Sequence, residues 1–315
     1  MLSRRLLRVK VVQMAYAHYQ KGEVSIQQTE KELFHSIAKS HEMYHAFLLL
    51  LLELKNFAEN RIEVRKQKKR PSEEDLNPNL RFVENAFMTQ LANNDALLSY
   101  NSKNGTPWVN HPEMVKGLYN VVSESEMFLE YMNSEPGDYD FDKRFIAKLV
   151  EKVIAPYESI YSIFEEQSVY WNDEVEFVIS MVVKTVKGFA EENAENETLL
   201  PEFKDDEDED FVKRLCRKTL VNRDDHMALI KQFTKNWDFD RIAYLDIILM
   251  QVAIAEIIEF KNIPVNVSLN EYIEVAKFYS TSKSGMFING ILDKITDHLL
   301  AEKVINKPGK APAKK

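Results

Sequence analysis

Apolar positions along the chain recur every three or four residues and almost nowhere every second. Leu33, Ile37, Tyr44, Phe47, Leu48, Leu51, Leu54 and Phe57 trace one stripe of a long helix. The same spacing returns at Ile242, Leu245, Leu249, Val252 and Ile257, and again at Ile288, Ile291, Leu292, Ile295 and Leu299. Alternating runs bounded by tight turns are missing, and Asn104-Gly105 has no alternating strands on its flanks. The pattern predicts an all-α fold.

Turn-forming clusters punctuate these helices at KKRPSEEDLNP (68–78), NSKNGTPWVNHP (101–112), NSEPGDYD (133–140) and Asn262 to Val265. With them comes a charge break. Residues 191–210 hold eleven Asp or Glu and one Lys, so this segment accounts for −10 of a net charge of −9, and everything else sums to +1. Such a block, with Pro201 inside it, reads as a solvated linker, one that would repel nucleic acid and shield the Arg4 surface. The resulting division is an N-terminal helical part over 1–65, a mostly helical part over 66–190, the acidic linker 191–210, a helical bundle over 211–304, and a basic disordered tail over 305–315 that carries Lys307, Lys310, Lys314 and Lys315.

Composition excludes several classes. The run Phe47 to Leu52 is far shorter than the ~20 residues that span a bilayer, so no membrane segment is expected. Arg4, Arg5 and Arg8 precede a stretch interrupted by Lys10 and Gln13, which argues against a signal peptide and for a cytoplasmic location. The single Cys216 can form neither an internal disulfide nor a thiolate metal site alone. Gly-rich phosphate loops are absent, and the isolated histidines lack partners for nucleophilic chemistry. His41-Glu42-Met43-Tyr44-His45 does match HExxH, which would set two imidazoles on one helix face with a carboxylate as general base. A catalytic zinc needs a third ligand, and Glu53, Glu59 and Glu63 merely continue the helix, so the match reads as a solvated polar face. No enzyme, metal or cofactor is expected.

The first helix carries the candidate chemistry. Arg4, Arg5 and Arg8 fall within about 100° of arc, with Tyr16 and Tyr19 further along the same side. Guanidiniums held on a helix beside aromatic rings suit phosphates and unpaired bases of single-stranded RNA.

The stretch from Lys235 to Ile295 resembles the C-terminal half of the transcription antitermination factor NusB family. The resemblance rests on Asn236-Trp237 before Arg241 and Asp246, then Glu256, Pro264, Asn270-Glu271, Glu274-Val275-Ala276-Lys277, and Ser284-x-x-Phe287-Ile288-Asn289-Gly290-Ile291-Leu292-Asp293. Arg4-Arg5-x-x-Arg8 followed by Gln13 and Tyr16 is similar to the arginine-rich first helix of that family. The resemblance implies NusB-like helical bundles, with 66–190 as a large helical insertion, and a non-enzymatic factor that binds boxA RNA together with the small ribosomal protein NusE, inside the RNA polymerase antitermination complex acting on ribosomal RNA operons.

The RNA-binding set implied is Arg4, Arg5, Arg8, Gln13 and Tyr16, with Ser282, Lys283, Ser284, Phe287 and Asn289 at a second helix start. There, free backbone N–H groups would favour a phosphate, Phe287 would offer a stacking face, and Gly290 would allow another helix to approach. Met286 stands where many relatives have a basic residue, which leaves Lys283 as the nearest substitute. A different class, a helical scaffold that binds a basic protein partner through its insertion and acidic segment, is the alternative.

Overall fold

The computed structural model describes residues 3–307 apart from 23, 136, 173, 236, 237 and 282, and of Asp240 only the backbone. Every regular element among them is helical. The chain divides into two compact units: residues 1–37 with 202–315, and residues 38–201. Both ends of the sequence therefore build one unit, and the second is nested in the middle.

Helix α1 (Arg4–Lys21) opens the first unit, its start fixed by Ser3, whose Oγ accepts from the Leu6 N–H at 3.2 Å. Helix α2 (Ile26–Lys66) gives residues 26–37 to the first unit and the rest to the second. The second unit continues through α3 (Glu73–Leu76), α4 (Ala86–Ala92), α5 (Asp95–Asn104), α6 (Pro112–Glu124), α7 (Glu126–Asn133), α8 (Tyr139–Leu149), α9 (Glu158–Gln167) and α10 (Val175–Gly188). The first unit resumes with α11 (Asp206–Val221), α12 (Arg223–Phe233), α13 (Tyr244–Glu259), α14 (Val265–Tyr279) and α15 (Ser284–Ala301).

Helix α13 is the axis of the first unit. Its sequence, YLDIILMQVAIAEIIE, is apolar all round, the signature of a helix without a solvent face. Residues 246 to 257 are all buried, because α1, α11, α12, α14 and α15 each pack on it.

In the second unit, Phe47 to Leu51 are at most 3% exposed, so α2 buries its whole circumference there where a single stripe was expected. Two tryptophans account for this: Trp108 Nε1–H donates to the Ala46 carbonyl at 2.7 Å, and Trp171 Nε1–H donates to the Lys39 carbonyl at 2.6 Å. Phe164 bridges them, edge-on to Phe47 with ring centroids 5.2 Å apart. The expected boundary near residue 65 thus falls near 37, since the middle of α2 shares a core with the insertion.

The acidic stretch also departs from expectation, because it is built into structure. Gln90 Nε2 donates to the carbonyls of Ala190 and Ala194 at 2.9 and 2.8 Å, and Asn94 Nδ2 donates to that of Glu197 at 2.7 Å. Residues 206–209 form the first turn of α11, where carboxylates complement the helix dipole, and Asp205 caps that turn by accepting from the Asp208 N–H at 3.0 Å. Of the expected tail, Ile305 and Lys307 are buried, and residues 308–315 lie outside the described residues. Burial pulls the Lys307 amine down to about 8.

The HExxH histidines are internal rather than solvated. His41 Nε2 meets the Leu200 carbonyl at 2.8 Å, and His45 Nδ1 meets the His41 carbonyl at 2.9 Å. The His45 ring stacks on Tyr100 at 3.8 Å, and burial lowers its pKa to about 4. Among the described residues no three His, Cys, Asp or Glu side chains are grouped to hold a metal ion.

Candidate nucleic-acid interface

The three arginines of α1 have three different environments. Arg8 is buried, its side chain 4% exposed, and its guanidinium grips Glu256 through Nε to Oε2 at 2.7 Å and Nη2 to Oε1 at 2.9 Å. Glu256 also accepts from Ser268 Oγ at 2.7 Å and Tyr272 Oη at 2.9 Å. Burial alone would lower the Arg8 pKa, but the Glu256 hydrogen bonds and charge hold it above its usual value. Burial and the adjacent carboxylate push the Tyr272 phenol far up. With Nε and Nη2 committed to Glu256, Nη1 3.8 Å from Glu271 and the side chain only 4% exposed, Arg8 is a structural ion pair and is poorly placed for the RNA contact expected of it.

Arg4 and Arg5 remain accessible, with side chains 37% and 48% exposed. Arg5 forks onto Glu271 of α14 at 2.8 and 2.9 Å, which raises the guanidinium and lowers the carboxyl. Arg4 Nε donates to Asp208 at 2.6 Å, and Nη2 stands 3.7 Å from Glu207, so the acidic block covers Arg4 directly.

Along α1, positions 5, 9, 12 and 16 fall within about 60° of one another, whereas Arg4 lies roughly 100° from Arg5. That stripe leads from Arg5 into a cleft of about 640 Å³ where Gln13 and Tyr16 face Tyr244, Tyr279, Ser280 and Thr281. Tyr16 is 42% exposed and meets Tyr244 edge-on at 5.7 Å. Tyr19, by contrast, donates to the Thr219 carbonyl at 3.3 Å beneath the Arg223 guanidinium and so belongs to the framework.

The cleft brings α1 against the turn leading into α15, joining two stretches more than 260 residues apart in sequence. This turn is held from below. Buried Asp246 accepts from Ser280 Oγ at 2.5 Å and from Ser284 Oγ at 2.8 Å, and the Ser284 N–H donates to the Thr281 carbonyl at 3.0 Å. Ser284 therefore shapes the turn, and its N–H is not available to a phosphate. Ser282 lies outside the described residues. Lys283 and Asn289 are exposed and Phe287 is half-buried. Gly290 is exposed, with nothing within 4 Å of an added Cβ, so among the described residues no helix makes the close approach expected there.

Sequence reasoning missed Tyr244 and the Glu256 and Asp246 anchors. A lone Glu within AIAEIIE and an Asp within YLDIIL were the available signals, since a carboxylate in an apolar helix demands buried donors.

The NusB family model matches residues 175–297. Transcription antitermination protein NusB of Salinibacter ruber is 37% identical over 111 residues, which is 35% of this chain and 69% of that protein. The proteins of the same name from Chloroherpeton thalassium and Listeria welshimeri are 39% and 38% identical over 110 and 91 residues, covering 34% and 29% of this chain and 52% and 71% of theirs. No solved structure matches. Helices α11 to α14 and most of α15, the surroundings of the Glu256 and Asp246 anchors, lie inside the matched stretch, and on these grounds the chain belongs to the NusB family.

Proposed function

We propose that this protein is a non-enzymatic transcription antitermination factor that binds boxA-type single-stranded RNA on the α1 surface, together with NusE, to keep RNA polymerase processive on ribosomal RNA operons. The carrying observation is the stripe that begins at Arg5 and ends in the Gln13, Tyr16 and Tyr244 cleft, a positive donor followed by aromatic faces. The relatives' shared name, transcription antitermination protein, points the same way. Among the described residues no helix is long and apolar enough to cross a membrane.

RNA would take Arg5 from Glu271, an exchange that costs little because exposed ion pairs contribute about 0–1 kcal/mol. Arg4 is held more firmly, since the Asp208 side chain is only 5% exposed. Lys283 and Asn289 would supply further contacts at the start of α15.

The test is fluorescence anisotropy of boxA-like and scrambled RNA across salt concentrations, with and without NusE. Arg4→Ala with Arg5→Ala should weaken boxA binding and flatten the log–log salt slope by at least about 0.7, the share of Arg5 at roughly 0.7 per phosphate contact on a single strand. A folded double variant with wild-type affinity and slope would refute the assignment.

A further inference from the structure

The second unit carries its own cationic surface, outside the stretch that the family model matches. Residues 61–70, RIEVRKQKKR, hold six basic residues against one Glu, at the C-terminal end of α2 and in the turn that follows. A helix C-terminus attracts cations, so the position itself is unremarkable. What matters is where their charge goes. Lys66 pairs with Glu63 and Lys68 with Asp75, both at distances near 2.9 Å. Arg65, Lys69 and Arg70 are exposed, and among the described residues none of them has an ion pair.

Arg65 also lines a cleft of about 480 Å³ between α2, α6 and the segment after α3, and Lys69 and Arg70 follow it within five residues of chain. Arg61 and Arg65 line one wall, Tyr119 supplies an aromatic ring, and Asn77 and Asn79 add amides, with Glu74 the single acid. The Arg61 guanidinium lies 5.6 Å from the Tyr119 ring centroid, and its Nη1 donates to Asn120 Oδ1 at 3.4 Å. A purely electrostatic surface for acidic protein would need no aromatic wall. Cations that follow a backbone, next to a ring flanked by arginine and amides that can meet base edges, fit an unpaired nucleic-acid strand.

We propose that the end of α2 and the Tyr119 cleft form a second binding surface for single-stranded RNA. Its phosphates lie along Arg65, Lys69 and Arg70, and a base enters beside Tyr119. This surface holds RNA through its backbone and is indifferent to sequence, in contrast to the α1 surface.

The experiment uses the full chain and a fluorescein-labelled 20-nucleotide oligouridylate, followed by anisotropy between 50 and 300 mM KCl, with a polyglutamate peptide as competitor. Arg65→Glu with Lys69→Glu and Arg70→Glu should raise Kd at least tenfold and lower the salt slope by about 2, three contacts at roughly 0.7 each. These side chains are exposed, so helical circular dichroism should not change. Tyr119→Leu should weaken binding several-fold and leave the slope intact, because stacking carries no counterions.

Wild-type affinity and slope in the folded triple variant would overturn the proposal. So would polyglutamate displacing the RNA at equal concentration, which would assign the surface to an acidic protein partner. Arg4→Ala with Arg5→Ala should leave the loss caused by the triple variant intact, so this surface and the boxA reading fail separately.

Discussion

Replacing Arg8 by methionine separates the structural arginine of α1 from its accessible neighbours. Methionine fills similar volume but deletes the bidentate pair, leaving the fully buried Glu256 carboxylate with the Ser268 and Tyr272 hydroxyls as its side-chain hydrogen-bond donors among the described residues. Removing one member of a buried pair leaves an uncompensated charge and costs about 3–5 kcal/mol. For a unit of this size that corresponds to a fall in Tm of roughly 6–20 °C. Thermal and urea unfolding followed by circular dichroism would measure it. Adding Glu256→Leu should recover most of the loss, since both charges are then gone, and the double-mutant cycle should return a coupling of more than about 2 kcal/mol. At a temperature where Arg8→Met stays folded, its RNA salt slope should equal that of the wild type. A variant that keeps wild-type stability yet loses about 0.7 of slope would refute the reasoning and return Arg8 to the RNA.

Ser284→Ala should cost about 1–2 kcal/mol by leaving buried Asp246 short of a donor, and should weaken RNA binding without changing its salt slope, as read by urea unfolding and anisotropy. His45 and His226 are held at about 4 by burial, below the ordinary 6.5 of the unfolded chain. The unfolded state therefore takes up protons first, so stability present above pH 6.5 should fall towards pH 4 by up to roughly 3 kcal/mol per histidine. His226→Leu should remove its share, which urea midpoints at pH 7.5 and pH 5 would reveal. Trp108→Phe should cost about 2–3 kcal/mol through the lost donor to the Ala46 carbonyl and the vacated volume, with a weakened near-ultraviolet signal.

Helices were legible wherever one sequence window contains the whole cause. The spacing of Ile242, Leu245, Leu249, Val252 and Ile257 predicts the α13 helix with one apolar stripe; the helix is there, but residues 246–257 are buried on every side, because the five helices that surround it come from other parts of the sequence. The roles of Arg4, Arg5 and Arg8 were not legible, because the three residues share a composition and differ only in partners over 200 positions away. The DEDED run illustrates the opposite error: read by charge alone it is a linker, whereas Asp205 followed by acids and then Phe211 is also the pattern of a capped helix start. The boundary inside α2 was hidden for a similar reason, since the helix runs unbroken across it and the change lies in what surrounds Phe47.

A unit made from both ends of a chain with another nested between them imposes an order on biosynthesis. Residues 38–201 are complete on the ribosome before α11 to α15 exist, so the inner unit is able to fold first. Helix α1, with Leu6, Leu7, Val9, Val11 and Val12 destined for burial, must wait for its partners. Glu256 emerges 248 residues after Arg8. At roughly 5–20 residues per second this is a delay of about 10–50 s, during which an apolar, arginine-bearing helix is unsheathed. Nascent chains stalled before residue 250 should therefore recruit chaperones through α1, a cost that a contiguous bundle would avoid.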